Sequence, residues 1–293
     1  MKKKPIIAFL YDFDKTLCTT DMQEYSFIPD LGYTPAEFWT IANELGRRSH
    51  MDGLLAYMYT MIDECRKKGI RLERDYLVKC GNAMRLFPGV KEWFGRINAF
   101  GAGLGVEVEH YVLSSGLKEI IEGSGVAHEF KEIYACEFLY GADGLAMWPK
   151  LDVNFTNKTQ FVYRINKGIL DVANDRDLNA SMPDDSKRIP FTNMIYVGDG
   201  LSDVPCMKMM RAYGGQAVAV YQDSNRAGVE GLLKDGRVDF IFPADYRENT
   251  MMDKTMKNIL RRMAINEELN EVNQEQLRAI RIRQRNGGDK RPR

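Results

Sequence analysis

The stretch Pro5-Ile6-Ile7-Ala8-Phe9-Leu10-Tyr11-Asp12-Phe13-Asp14-Lys15-Thr16 decides the fold. An apolar run from Ile6 to Tyr11 ends abruptly at a carboxylate, the pattern of a short buried strand. Asp12 and Asp14 follow at positions i and i+2, which face one side of an extended chain, so the two carboxylates converge on one substrate-sized point. Close carboxylates raise each other's cost of ionisation, and a cation or an acid/base role relieves it. The plainer reading of the same residues is a polar turn after a strand.

Working outward, residues 18–85 read as largely helical, with Phe38, Ile41 and Leu45 at helical spacing. Phe87-Pro88-Gly89 punctuates the chain, and Val90, Trp93, Phe94 and Ile97 then line one face of a helix. His110–Leu113 reads as a second strand, and a helix starts at Leu117. Ile133–Leu139 and Leu145–Val153 flank Gly141-Ala142-Asp143-Gly144, which predicts a hairpin. A helix carrying Phe161, Val162, Ile165 and Ile169 comes next, then a polar loop over 174–188. Met194–Val197, Ala217–Val220 and Val238–Phe242 are further core strands. Short strands alternating with helices predict an α/β fold with a parallel, Rossmann-like sheet. A last helix begins at Met251, and the tail from Arg281 to Arg293 reads as a solvated basic segment.

Composition narrows the function. The chain has 293 residues, with 41 basic residues balancing 41 acidic ones. Neutrality argues against wholesale binding to nucleic acid or to an anionic membrane. Lys2, Lys3 and Lys4 precede an apolar run too short for a signal sequence, and no stretch reaches the ~18 apolar residues of a membrane span. The five cysteines are scattered, without a CxxC pair, which predicts neither structural zinc nor a disulfide framework and fits a reducing cytoplasm.

Open parallel sheets bind ligands at the carboxyl ends of their strands. Three more polar groups join the first pair at such places. Ser114-Ser115-Gly116 follows the second strand, where hydroxyls and free N–H groups at a helix start make an anion site, or where Ser merely caps the helix. Gly198-Asp199-Gly200-Leu201-Ser202-Asp203 follows the Met194 strand. Its glycines, Gly200 among them, permit close approach of a ligand, and Asp199 offers a hard oxygen to Mg²⁺. Ser202 or Asp203 also suits a helix cap ahead of Pro205. Lys158 follows Thr156-Asn157, a predicted cap, and sits in a first helical turn, where a cation opposes the helix dipole unless phosphate and aspartates favour it.

Taken together and in this order, these residues resemble the haloacid dehalogenase superfamily, in its phosphoserine-phosphatase-like branch. DFDKT stands for the first motif, Ser114 for the second, Lys158 for the third and GDGLSD for the fourth, over roughly residues 5–245. The resemblance implies a phosphatase in which Asp12 attacks phosphorus and Asp14 serves as acid and then base. It implies Mg²⁺ held by Asp12, the Asp14 carbonyl and Asp199. Ser114, Ser115 and Lys158 would hold phosphate, Asp203 would orient Lys158, and Thr16 would sit beneath the loop. It further implies a core formed by 1–17 and 86–250, a helical cap at 18–85, and a C-terminal helix and tail at 251–293.

Asp21, nine residues after Asp12, stands near the position that reads a substrate amine in phosphoserine phosphatases, with capping of a cap helix as the alternative. Arg47, Arg48 or Arg85 is a candidate for a substrate carboxylate or second phosphate, although Arg47-Arg48 reads first as a solvated helix end, and Met51, Met58 and Met61 are expected to pack the cap. The expected partner is a small phosphorylated substrate, phosphoserine-like among the options; nucleic acid and membrane are not expected, and the oligomeric state is not assigned. A phosphotransferase or phosphomutase with the same intermediate, and a non-catalytic phosphate-binding scaffold, are the alternatives. A metal-free dehalogenase is disfavoured by Asp14 and the GDGLSD aspartates.

Overall fold

Alternate residues of the first strand feed two separate apolar layers. Ile7, Phe9 and Tyr11 join one core cluster, and Ile6, Ala8 and Leu10 join the other. A strand buried on both faces reads as an unbroken apolar run, which is why 6–11 shows no polar alternation. The computed structural model describes residues 4–287. Its strands are β1 (Ile6–Tyr11), β2 (Glu107–Leu117), β3 (Glu132–Tyr140), β4 (Ala146–Leu151), β5 (Met194–Gly198), β6 (Gln216–Tyr221) and β7 (Phe240–Pro243). They form one sheet in the order β4-β3-β2-β1-β5-β6-β7, parallel throughout except for β4, which returns antiparallel from β3 as the expected hairpin.

The helices are α1 (Phe27–Asp30), α2 (Pro35–Ser49), α3 (Gly53–Lys67), α4 (Arg74–Gly81), α5 (Val90–Gly103), α6 (Lys118–Glu122), α7 (Lys158–Lys167), α8 (Asp175–Asn179), α9 (Val204–Ala212), α10 (Arg226–Lys234) and α11 (Met251–Gly287). Buried residues of α5, α6 and α11 cover the β1 face that carries Phe9, and those of α7, α9 and α10 cover the opposite face. The result is a mostly parallel, Rossmann-like α/β core. Among the described residues no helix is long and apolar enough to cross a membrane.

The chain leaves and re-enters this core through a narrow neck. Thr19 N–H donates to the Arg85 carbonyl (3.0 Å), Phe87 N–H donates to that of Leu17 (2.9 Å), and Cys18 bridges Leu86 antiparallel. Between these ends lie α1 to α4. Thr34 and Glu37 close a capping box that starts α2, and Asp52 caps α3.

Several expectations change. β2 runs to Leu117, so Ser114 and Ser115 lie on an irregular strand end rather than at a helix start, and α6 has no serine cap. The polar stretch 174–188 contains α8, capped by Asn174. The Arg281 segment continues α11 as far as Gly287, because helical residues there follow an uninterrupted ladder; Lys2, Lys3 and residues 288–293 lie outside the described residues. Met58 and Met61 are buried, whereas Met51 is exposed.

His110 on β2 gives this core a pH dependence. Its ring packs against Phe9, Tyr11 and Phe94, and its nitrogens meet the Tyr11 hydroxyl (3.1 Å) and Asn98 Oδ1 (2.9 Å). Burial pulls its pKa down to about 3, so the folded chain refuses a proton that the unfolded chain accepts below its ordinary value. Stability conferred by neutral His110 is therefore complete at neutral pH and lost as pH falls from about 6.5 toward 3, at roughly 1.4 kcal/mol per pH unit. Denaturant unfolding between pH 6.5 and 5 should show a shallower loss in His110→Gln than in the wild type. Parallel pH slopes would remove His110 as the cause.

Candidate active site

Sheet order sets the location of the site. Connections run from β1 to β2 on one side, and β5 lies on the other, so β1 is the topological switch point where open sheets bind ligands. Register then aligns the strand ends. Tyr11 pairs with Val112 and Val197, and the next residue, Asp12, donates its N–H to the Val197 carbonyl (2.9 Å). Beyond Asp12 the chain turns tightly around the Phe13 carbonyl, which accepts from the N–H groups of Thr16, Leu17 and Cys18, with Lys15 left-handed at φ 56°.

Lys158 is the centre of the charge network. Its ammonium is fully buried and donates to Asp12 Oδ1 (3.0 Å) and Asp203 Oδ1 (2.8 Å). Asp203 is also fully buried: Oδ1 accepts from the Tyr196 hydroxyl (2.7 Å), and Oδ2 accepts from the N–H groups of Asp199 (3.2 Å) and Gly200 (3.4 Å). Asp203 therefore meets Lys158 and does not cap α9, which begins without a side-chain cap. Asn154 and Asn157 together organise the start of α7: Asn154 Oδ1 accepts from the N–H groups of Thr156 and Asn157, both at 3.0 Å, and Asn157 Oδ1 accepts from the Asn154 N–H (2.7 Å).

Burial opposes charge throughout the site. It raises Asp12 to about 6, against the pull of Lys158. Burial opposes the Lys158 charge as well, but the Asp12 and Asp203 carboxylates outweigh it and hold the ammonium above the ordinary lysine range. Burial and then the charges of Asp21 and Asp12 push Asp14 well above the carboxylate range, although its Oδ1 accepts from the Met22 N–H (2.8 Å). Asp199 rises to about 8 through burial and repulsion from Asp12 and Asp203.

Carboxylate oxygens of Asp12, Asp199 and Asp203 lie within 4.8 Å of one another. Asp203 already accepts four hydrogen bonds, so Asp12 and Asp199 are the side chains left to meet a cation. An all-oxygen donor set whose members resist ionisation suits a hard divalent ion such as Mg²⁺.

These groups open into a cavity of about 550 Å³ lined by Asp12, Asp14, Ser114, Ser115, Lys158, Asp199 and Gly200. That volume is in the range of small-molecule sites. Ser114 Oγ accepts from the Gly116 N–H (3.0 Å), and Ser115 Oγ donates to the Val153 carbonyl (2.8 Å). Gly116 lets the strand end approach Met22 closely: a Cβ there would lie 2.1 Å from Met22 Cε and 3.0 Å from Asp14 Oδ2, so the Met22 side chain would have to move. Thr16 lies beneath the loop, its carbonyl accepting from the Tyr246 hydroxyl (2.8 Å) and its own hydroxyl unpartnered.

The far wall belongs to the helical segment. Asp21 lines the cavity but caps nothing; both its oxygens accept from Lys15 (2.7 and 2.8 Å). Arg47, Arg48 and Arg85 do not line it. Trp39, Tyr57 and Gln23 do, and sequence reasoning passed over all three. Gln23 is 2% exposed with Oε1 unpartnered. Nothing in the sequence distinguishes it from a solvated polar residue; only its burial beside the cavity does.

The chain belongs to the haloacid dehalogenase-like hydrolase family, which residues 9–208 match. It is similar to an uncharacterized protein of Borreliella burgdorferi, 25% identical over 287 residues, with 86% of this chain and 95% of that protein covered. A phosphoserine phosphatase solved in apo form shares the fold with a TM-score of 0.54 at 15% identity, over 84% of this chain and 97% of that one. A hydrolase of the same family from Salmonella enterica serovar Typhi gives a TM-score of 0.52 at 16% identity, over 78% and 67% of the two chains.

Removing one side of a buried ion pair strands the other. Lys158→Ala should lower unfolding free energy by about 3–5 kcal/mol, because two buried carboxylates lose their counter-charge. Urea denaturation at neutral pH measures this, and a loss under about 1 kcal/mol, as for a surface pair, would contradict it.

Proposed function

We propose that this chain is a Mg²⁺-dependent phosphomonoester hydrolase that works through an aspartyl phosphate on Asp12. The observation that carries the reading is the division of labour between two carboxylates at one strand end: Asp12 faces the buried Lys158 ammonium, and Asp14 is pushed toward its protonated form. In this reading residues 1–17 and 86–250 form the catalytic core, and 18–85 form a cap that closes the cavity.

Asp12 attacks phosphorus, the ester oxygen leaves, and a covalent acyl phosphate forms. Asp14 gives its proton to the departing oxygen, then takes one from the water that hydrolyses the acyl phosphate, returning both residues to their starting states. Ser114 and Lys158 hold phosphoryl oxygens, Ser115 fixes the strand end to Val153, Asp203 keeps Lys158 aimed, and Thr16 and Gly200 shape the loops. Mg²⁺, held by Asp12, the Asp14 carbonyl and Asp199, would offset the repulsion between carboxylate and phosphate dianion. Phosphoryl transfer needs mainly such positioning and charge stabilisation.

Asp12→Asn keeps the side chain's size and removes the attacking charge. Turnover of an aryl phosphate should fall by about three orders of magnitude or more. A chelator should abolish wild-type turnover, and added Mg²⁺ should restore it. Near-wild-type turnover in the Asn variant would exclude the covalent route.

Specificity follows from what lines the far wall. The cations there are Lys15, already paired with Asp21, and Lys158, already paired with Asp12 and Asp203. Among the described residues no arginine lines the cavity to meet a substrate carboxylate. Asp21 meets a substrate amine only by exchanging Lys15, and Gln23 offers an unspent carbonyl to an N–H or O–H donor. A leaving group without a carboxylate fits this wall best. Phosphomonoesters of uncharged or amino alcohols should exceed carboxylate-bearing ones, phosphoserine included, by roughly tenfold or more in kcat/KM, a gap of about 1.4 kcal/mol. Gln23→Met should raise KM for the preferred ester while leaving aryl phosphate turnover nearly unchanged. Phosphoserine as the best substrate would overturn this assignment and leave the Asp12 chemistry standing.

A further inference from the structure

Once a phosphoryl group is placed against Lys158, most of the cavity is still empty space. At roughly 30 Å³ per non-hydrogen atom, a molecule's share of liquid water, its volume of about 550 Å³ holds about 18 such atoms. A phosphate accounts for a small part of them. In an in-line displacement the ester oxygen leaves on the side away from its attacker, so the alcohol of the ester extends from Asp12 into the remaining space. That placement rests on the aspartyl-phosphate reading.

Both parts of the chain line this space with apolar side chains. Trp39 comes from α2, and Leu54 and Tyr57 come from α3. Phe155, in the loop before Lys158, and Leu201, directly after Gly200, come from the core. Phe155 and Leu201 are 56% and 78% exposed. A lone exposed apolar residue needs no explanation. Two that line one cavity with three further apolar residues make a surface that suits a ligand. Trp39 and Tyr57 spend their polar tips on Glu24 and the Ser115 carbonyl, which leaves their rings to the cavity. Three of the five side chains are aromatic, and aromatic rings gain from a ring partner beyond the area they bury.

The charged groups beside this surface are engaged within the protein. Lys15 is paired with Asp21, and Asp52 accepts from the N–H groups of Leu54 and Leu55. A neutral group fits there without displacing them, and Gln23 Oε1 is the buried acceptor left for one N–H or O–H. We propose that the substrate is the phosphate ester of an alcohol that carries an uncharged, apolar ring, and that Trp39, Tyr57, Phe155 and Leu201 hold that ring.

Three esters of primary alcohols test this, because their leaving oxygens are alike: 2-phenylethyl phosphate, ethyl phosphate and a hexose 6-phosphate. With Mg²⁺ present, kcat/KM should be about tenfold or more higher for the phenylethyl ester than for either other. Leu201→Ser combined with Phe155→Ser should cut the phenylethyl-to-ethyl ratio by roughly threefold or more. Both side chains are exposed, so the melting temperature should not move. Calorimetric titration of the Asp12→Asn chain reads the same preference without turnover, as a Kd about tenfold lower for the phenylethyl ester than for the ethyl ester. That preference in Kd, with no ester turned over by the wild type, would sink the aspartyl-phosphate reading and leave the ring site standing. Affinities equal within about twofold would overturn the ring site and leave the Asp12 chemistry standing. So would a preference for the hexose ester, or a ratio that the double variant does not change.

Discussion

Lys158 carries its ammonium to a place from which water is excluded, and the two carboxylates that meet it there come from different parts of the chain. Asp12 ends β1, and Asp203 lies in the turn after β5. Taking such charges out of water costs several kcal/mol per ion, a cost offset only when geometry is good and remaining donors and acceptors are satisfied. Here they are: Asp203 takes four hydrogen bonds, from Lys158, Tyr196 and two backbone N–H groups. The network holds only if β1 lies beside β5 and α7 starts above both. Strand order, crossover and helix start are thus tied to one electrostatic requirement.

The same network separates two carboxylates that stand two residues apart. Asp12 has a cation against it and is opposed mainly by burial. Asp14 has a backbone N–H, no cation among its hydrogen-bond partners, and negative neighbours in Asp21 and Asp12. Environments that push paired acids apart assign them different roles. The tight turn around the Phe13 carbonyl makes this separation, since it swings Asp14 toward Met22 while Asp12 stays in register with the strand.

Much of this was legible in the sequence because strand ends announce themselves. Apolar runs stopping at DFD and GDG gave β1 and β5 with their acids, and Lys158 stood out as a cation at an unfavourable helix position. What the sequence hid depends on contacts distant along the chain. β2 continues through Ser114 because β3 pairs with it as far as Leu117. Asn154 shares with Asn157 the role expected of Thr156-Asn157, because its side chain reaches forward to two N–H groups. Lys15 sits inside the first motif, yet its left-handed backbone and its pairing with Asp21 follow from the turn and not from residue type. Arg47-Arg48 read as a solvated helix end, and both are exposed at the end of α2, outside the cavity lining.

The helical insertion lines one wall of the cavity, and it is held on several sides. Gly81 and Gly123 let α4 and the end of α6 approach until a Cβ on Gly123 would lie 1.9 Å from the Val78 carbonyl. Ala146 N–H donates to the Leu72 carbonyl (2.9 Å), which rests the insertion on the β3–β4 hairpin. At the cavity itself Tyr57 donates its hydroxyl to the Ser115 carbonyl (3.0 Å), and Trp39 donates its indole N–H to Glu24 (3.1 Å). With both polar tips engaged, each side chain has only its apolar ring left to offer a ligand. The two rings meet edge to face at 5.8 Å and brace one another. The two rings give the wall opposite the aspartates an apolar patch, beside which Gln23 is buried with its Oε1 unpartnered. The acids on that wall are engaged within the protein: Asp21 holds Lys15, and Asp52 accepts from the N–H groups of Leu54 and Leu55.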